Sequence, residues 1–156
     1  GYPEEQRARV AAFRPGGAYA LRLAERNTIV IVGDTLFVHG GVHMEHIEYG
    51  LDLLNQEIRA WLRGETDRPA VLSEIESPVW CRHFSMDVQE ESRTLLEEGL
   101  NALGITRMVV AHSVQKDGIR SHFDDQVWCV DVGMSRHYGG EVAVLEILGD
   151  TVRVIE

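Results

Sequence analysis

Thr28-Ile29-Val30-Ile31-Val32-Gly33-Asp34-Thr35-Leu36-Phe37-Val38-His39-Gly40-Gly41-Val42 is the stretch whose reading decides the fold. Two β-rich runs, Thr28 to Val32 and Thr35 to Val38, flank Gly33-Asp34. β-branched and aromatic side chains suit a pleated backbone, and a glycine–aspartate pair between two such runs signals a hairpin closed by a two-residue turn. The second run stops at His39-Gly40-Gly41. A histidine at a strand end sits where loops gather, and the glycines let backbone approach a ligand closely.

Working outward, residues 1–14 mix charge and aromatics without a strong period. Pro15-Gly16-Gly17 marks a turn, and Ala18 to Arg26 reads as a short helix. After the hairpin a long helix is expected from about Met44 to Arg63. Ile47, Leu51, Leu54, Ile58, Trp61 and Leu62 recur at three- and four-residue steps, and Gly64 is a helix stop. Glu65 to Met86 reads as a long loop, and loops of this length often carry function. A second amphipathic helix is expected over about Asp87 to Leu103, ended by Gly104. Strands are expected at Arg107 to Ala111, Val127 to Val132, Val142 to Leu148 and Thr151 to Ile155. Hairpin, two helices, then strands describe a mixed α/β (α+β) domain over residues 1–156.

The chain has 156 residues, of which 44% are hydrophobic and 26% charged, so it can build an ordinary core and is not disordered throughout. Fifteen basic against 25 acidic residues give a net charge of −10. With no local basic patch, that balance disfavours nucleic acid and anionic membrane surfaces as partners. No run approaches the roughly 18 apolar residues of a membrane span, and no signal-peptide pattern is seen. Cys81 and Cys129 form no disulfide framework. The expected location is a reducing cytoplasm.

Seven histidines are the main carriers of chemistry. His39 and His112 both lie where a strand runs out, the second after Met108-Val109-Val110-Ala111. Imidazole serves as metal ligand and as general base near neutral pH. Spacing alone leaves a ligand and a hydrogen-bonded strand-end histidine both open. His43 and His46, with His39, have the spacing of a zinc cluster, but the start of a helix reads as an exposed polar face. Arg82 lies beside aromatics in the long loop, in Ser77-Pro78-Val79-Trp80-Cys81-Arg82-His83-Phe84, and is either an anion-binding fork or a surface arginine stacked on Trp80. Tyr138 is either a donor to an oxyanion or a loop anchor. Cys81 reads as a half-buried structural thiol.

Four segments in order carry a resemblance. Val32 to Val42 looks like a metal-ligand motif of the phosphoprotein phosphatases, and Met108-Val109-Val110-Ala111-His112-Ser113-Val114-Gln115 looks like their last histidine motif. Ser77 to Arg82, and Val130-Asp131-Val132-Gly133-Met134-Ser135 with Tyr138-Gly139-Gly140, resemble the Shewanella-like branch. These enzymes belong to the calcineurin-like metallophosphoesterase superfamily. The resemblance implies a β-sandwich flanked by helices and hydrolysis of a phosphomonoester, protein-borne on serine, threonine or tyrosine. It implies a divalent metal pair of manganese, iron or zinc that activates the attacking water. His39 and His112 would ligate the same metal, Arg82 would hold the phosphate, and Tyr138 would lie near the pocket.

The family's Gly-Asp-x-His-Gly, Gly-Asp-x-x-Asp-Arg-Gly and Gly-Asn-His-Glu motifs are absent, and Gly33-Asp34 is the single Gly-Asp ahead of His39. The chain therefore resembles the C-terminal half of such an enzyme, with an incomplete metal site. The expected partners are a phosphorylated protein or phosphomonoester, and either a second copy or a missing N-terminal half that covers the open sheet face. A non-catalytic phospho-ligand binding module derived from the same fold is the alternative.

Overall fold

Asn55 shows how a covering helix is locked to the sheet. Its Oδ1 accepts the Thr28 and Ile29 backbone N–H groups at 2.9 and 3.1 Å, and its Nδ2 donates to the Ile29 carbonyl at 2.8 Å. One buried amide thus ties a helix to the first strand and satisfies backbone groups that an edge strand leaves unpaired. The computed structural model describes residues 2–86 and 88–156.

Strand β1 (Ile29–Val32) and strand β2 (Thr35–Val38) form the expected antiparallel hairpin, with Val32 opposite Thr35. Gly33 has φ +60°, the left-handed conformation that the first central position of a type II′ turn requires. Strand β3 (Arg107–Val110) pairs parallel to β2, strand β5 (Val127–Cys129) parallel to β3, and strand β4 (Arg120–His122) antiparallel to β5. The sheet order is β1-β2-β3-β5-β4. Asp34 at the hairpin turn accepts Thr106 Oγ1 at 2.7 Å and Arg107 Nη2 at 3.3 Å, which sets the β2–β3 register from its base. The Thr106 hydrogen bond, with help from the Arg107 charge, holds the Asp34 carboxyl below the usual range.

Helices cover the sheet. Helix α3 (Met44–Tyr49) and helix α4 (Leu51–Arg63) stand where one long helix is expected. The break is Gly50, at φ +106°, which ends one helix and starts the next. The apolar stripe runs on through the break, so periodicity does not reveal it. Helix α5 (Glu90–Leu103) packs Leu96 and Leu100 into the core beside Leu36, Leu54, Phe84, Met108 and Val110. The expected helix start at Asp87 lies outside the described residues.

Helix α1 (Glu4–Phe13), which the sequence does not announce, buries none of its residues. It folds back on helix α2 (Ala18–Leu23), with Phe13 stacked on Tyr19 at 5.1 Å. The close turn needs glycine, because a Cβ on Gly17 would lie 2.5 Å from the Ala11 and Ala12 carbonyls. The expected loop holds one 3-10 turn, Ala70–Ser73. Strand β6 (Val144–Leu148) and strand β7 (Thr151–Ile155) form a separate two-stranded hairpin whose contacts are mainly with each other. The chain is thus a mixed α/β fold with one five-stranded mixed sheet and one separate two-stranded hairpin. Val30, Ile31 and Val32 on β1, and Val144 and Leu148 on β6, are exposed. Among the described residues no helix is long and apolar enough to cross a membrane.

Candidate metal and phosphate site

β2 and β3 run parallel with Phe37 beside Val109, so both strands deliver their C-terminal ends to one place. The Ala111 N–H donates to the His39 carbonyl at 2.9 Å, and the chain then turns through His112 at φ +63°. A left-handed conformation is strained for a residue with a Cβ, and such strain persists where surrounding contacts enforce it. Its effect here is to aim the His112 ring at its neighbour. His112 Nδ1 lies 3.0 Å from His39 Nε2, with ring centroids 4.8 Å apart.

The 74–86 loop closes over this pair. Gly40 N–H donates to the Pro78 carbonyl at 2.7 Å. A Cβ on Gly40 would meet the Cys81 backbone N at 2.8 Å, and one on Gly41 the Phe84 ring at 2.6 Å, so the two glycines admit the loop. Trp80 then lies 4.8 Å from the His112 ring, and the Arg82 guanidinium 5.6 Å from the Trp80 centroid. Arg82 Nη1 donates to Ser113 Oγ at 2.9 Å. Ser85 Oγ donates to the same hydroxyl at 2.8 Å, and Gln115 Nε2 reaches the Ser85 carbonyl at 3.1 Å.

The structure therefore brings His39, His112 and Arg82 together at the ends of β2 and β3. Tyr138 is 65% exposed, with its ring against His137 at 4.9 Å, and the base of its side chain packs on the Gly133 turn. Among the described residues none of its hydrogen bonds or ring contacts reaches the other three. Ser85 and Ser113, which orient Arg82, were not singled out in the sequence. Ser113 could have been found as the polar neighbour of His112, whereas Ser85 has no sequence signal.

Burial pushes the His112 imidazole below its ordinary pKa, and the nearby Arg82 and His39 add to the effect while Asp131 opposes it. His112 is thus kept neutral, the form that binds metal. Its Nε2 is buried without a hydrogen-bond partner. Two ring nitrogens 3.0 Å apart match about the edge between two ligands on one ion with metal–nitrogen bonds of ~2.0–2.1 Å. The donors fit two corners of one ion. Among the described residues no third His, Cys, Asp or Glu ligand atom gathers with theirs, so they do not by themselves fit a pair of ions.

The other histidines behave differently from expectation. His43 and His46 are 9% and 2% exposed, not an exposed polar face. The His46 ring folds back so that Nδ1 accepts the His43 N–H at 3.0 Å, which caps α3 and buries both rings under the loop. Nor does the structure gather His39, His43 and His46 on one ion. His39 faces His112, whereas His43 Nε2 lies 3.1 Å from Cys81 Sγ and 3.3 Å from Glu76 Oε2. Cys81 is fully buried and its thiol is pushed up to about 12, chiefly by desolvation.

No protein-family model matches the sequence. The chain is 41% identical over 157 aligned residues to Shewanella-like protein phosphatase 2 of Arabidopsis thaliana, a match that covers 96% of this chain and 40% of the plant protein. It is 29% identical over 126 residues to an uncharacterized protein of Schizosaccharomyces pombe (77% of this chain, 38% of that one). Among solved structures, it is similar to the cold-active protein-tyrosine phosphatase of a psychrophilic Shewanella species, with TM-score 0.65 and 27% identity over 79% of this chain and 38% of that one. A 1.1 Å structure of a cold-active protein tyrosine phosphatase gives the same TM-score of 0.65. The chain spans about two fifths of the length of these relatives. Over that span its sequence and fold are similar to those of Shewanella-like phosphatases.

Proposed function

We propose that this chain is the C-terminal half of the catalytic domain of a Shewanella-like phosphatase, a metal-dependent hydrolase of phosphomonoesters on protein. The observation that carries the reading is the approach of His39 Nε2 and His112 Nδ1 to 3.0 Å at two adjacent strand ends, with Arg82 held beside them by Ser113. His39 and His112 supply two ligands of one ion in a calcineurin-like pair of manganese, iron or zinc. Arg82 presents its guanidinium fork to the substrate phosphate, and a role for Tyr138 near the site rests on the resemblance alone. When bound, such ions neutralise charge on the phosphoryl group and lower the pKa of the attacking water.

This chain's residues divide the remaining work. Both imidazoles must be unprotonated to ligate, and burial favours that state at His112. Ser113 and Trp80 fix the direction of Arg82, which reduces the freedom lost when phosphate binds. The other metal ligands come from sequence beyond these 156 residues, consistent with a similarity that covers 40% of the plant relative. That remainder, or a second copy, also covers the exposed Val30, Ile31, Val32, Val144 and Leu148. The cytoplasm is the proposed location.

Manganese-dependent hydrolysis of a chromogenic aryl phosphate tests this reading, on the 156-residue chain and on the full product of its gene. The chain alone should be inactive, and the full product should turn over and lose activity in His112→Ala. Turnover that survives His112→Ala would overturn the assignment. The preformed Arg82–Ser113 bond supports a second reading, a phospho-ligand binding module. Under it, phosphopeptide binds without turnover and Arg82→Ala abolishes binding.

A further inference from the structure

A second cluster of ligating atoms lies on the buried side of the 74–86 loop, separate from the strand-end pair. His43 Nε2, a Glu76 carboxylate oxygen and Cys81 Sγ all fall within 4.8 Å of one another. We propose that His43, Glu76 and Cys81 form a structural site for a zinc-like divalent cation, which clips the loop to the segment after β2.

The distances suit a shared ion. Bonds of ~2.0–2.3 Å around a tetrahedral ion put neighbouring ligand atoms about 3.3–3.7 Å apart. The observed separations from His43 Nε2 are 3.1 Å to sulfur and 3.3 Å to the carboxylate oxygen. His83 Nε2 stands 3.3 Å from the other Glu76 oxygen and orients the carboxylate from outside.

Two independent observations point to a cation. Glu76 Oε2 is shielded from solvent, although the side chain as a whole is 38% exposed, and it faces His43 Nε2 at 3.3 Å without forming a hydrogen bond. A shielded carboxylate oxygen favours a positive charge beside it. The second is geometric: an imidazole nitrogen and a thiol sulfur, both on buried residues, converge with the carboxylate on one point. A divalent ion there would be held by thiolate, imidazole and carboxylate together. That donor set suits zinc and disfavours magnesium or calcium, which prefer oxygen alone.

His46 is excluded as a ligand. Its Nδ1 accepts the His43 N–H, so in the neutral ring Nε2 carries the proton and has no lone pair to give. A fourth position is left to water. Cys81 points into the cluster while its neighbours Trp80 and Arg82 point to His112 and Ser113. Holding Cys81 therefore holds the two residues that flank the strand-end pair.

Cobalt(II) substitution of the 156-residue chain, stripped first with a chelator, tests the proposal. Thiolate ligation gives an intense sulfur-to-cobalt charge-transfer band in the near ultraviolet. The band should saturate at one ion per chain, persist in Cys129→Ser and in His112→Ala, and vanish in Cys81→Ser. Glu76→Gln, a change at the loop surface, should keep the band but weaken cobalt affinity by about 10-fold or more. Wild-type chain that binds no cobalt, or binds it without the band, overturns the proposal whether or not Cys81→Ser folds. So does a band that follows Cys129. The strand-end pair contains no thiol, so the band is independent of phosphatase activity.

Discussion

Two clusters of histidine lie on opposite sides of one loop, and they are built in opposite ways. The His39–His112 pair sits at the open ends of two parallel strands, with His39 exposed and a strained backbone at His112. The His43–Glu76–Cys81 cluster sits beneath the loop, where His43 and Cys81 are buried. An open pair with an arginine alongside can admit and release a substrate. A closed set with a thiol holds its contents and fixes what lies around it. The lesson is that local sequence spacing does not sort histidines into sites. His39 and His43 are four residues apart and belong to different clusters, while His39 and His112 are 73 apart and touch.

The sharpest way to break the comparison is to remove one member of the open pair. His112→Ala should lower turnover of the full gene product by more than about 100-fold, since loss of a residue that merely orients a ligand already costs ~10–100-fold. Steady-state kinetics at saturating manganese read the effect. The buried cluster should be untouched, with the cobalt band unchanged.

Gly40→Ala should damage both clusters, because its Cβ would press on the Cys81 backbone N at 2.8 Å and O at 2.9 Å. Backbone cannot yield cheaply, so the expected loss is about 1–3 kcal/mol. In thermal unfolding that is a fall in Tm of roughly 2–12 °C. Asn55→Ala should cost about 1–3 kcal/mol by leaving the β1 backbone groups unpaired, measured by urea unfolding. It loosens the hairpin that carries His39 without touching either cluster.

Ser113→Ala sharpens the comparison more gently. It frees Arg82 Nη1, so KM for an aryl phosphate should rise by about 10-fold with a smaller change in kcat. A fall in kcat alone would place Arg82 elsewhere in the reaction. The smallest effect is expected at His122, remote from both clusters on β4. Burial, then Arg120, pushes its pKa below the ordinary 6.5. The native state thus binds this proton less readily than the unfolded chain. Its contribution to stability is complete above pH 6.5 and is lost as pH falls below that value toward the depressed pKa. His122→Gln should flatten that part of the Tm profile slightly, and an unchanged slope would assign the acid sensitivity to other groups.

Much of the fold was legible because it rests on local signals. Gly33-Asp34 announced the hairpin, and the stripes of α4 and α5 announced their buried faces. The break at Gly50 was hidden because Ile47, Leu51 and Leu54 keep helical spacing across it. Helix α1 was hidden because it has no apolar face to betray it. At the site, strand ends pointed to His39 and His112, and the resemblance joined them to Arg82. The burial of His43 and His46 was misread because a helix start usually faces solvent. Here the His46 ring caps its own helix, and the 74–86 loop covers the result. Such contacts between distant segments leave no period in a sequence.

The most direct test of the central claim is paramagnetic broadening of histidine ring signals as manganese is titrated into the chain. His39 and His112 should broaden together, and His112→Ala should remove the effect at His39 while leaving any broadening at His43 unchanged. Broadening of His39 that survives His112→Ala, or broadening spread evenly over all seven histidines, would contradict the pairing.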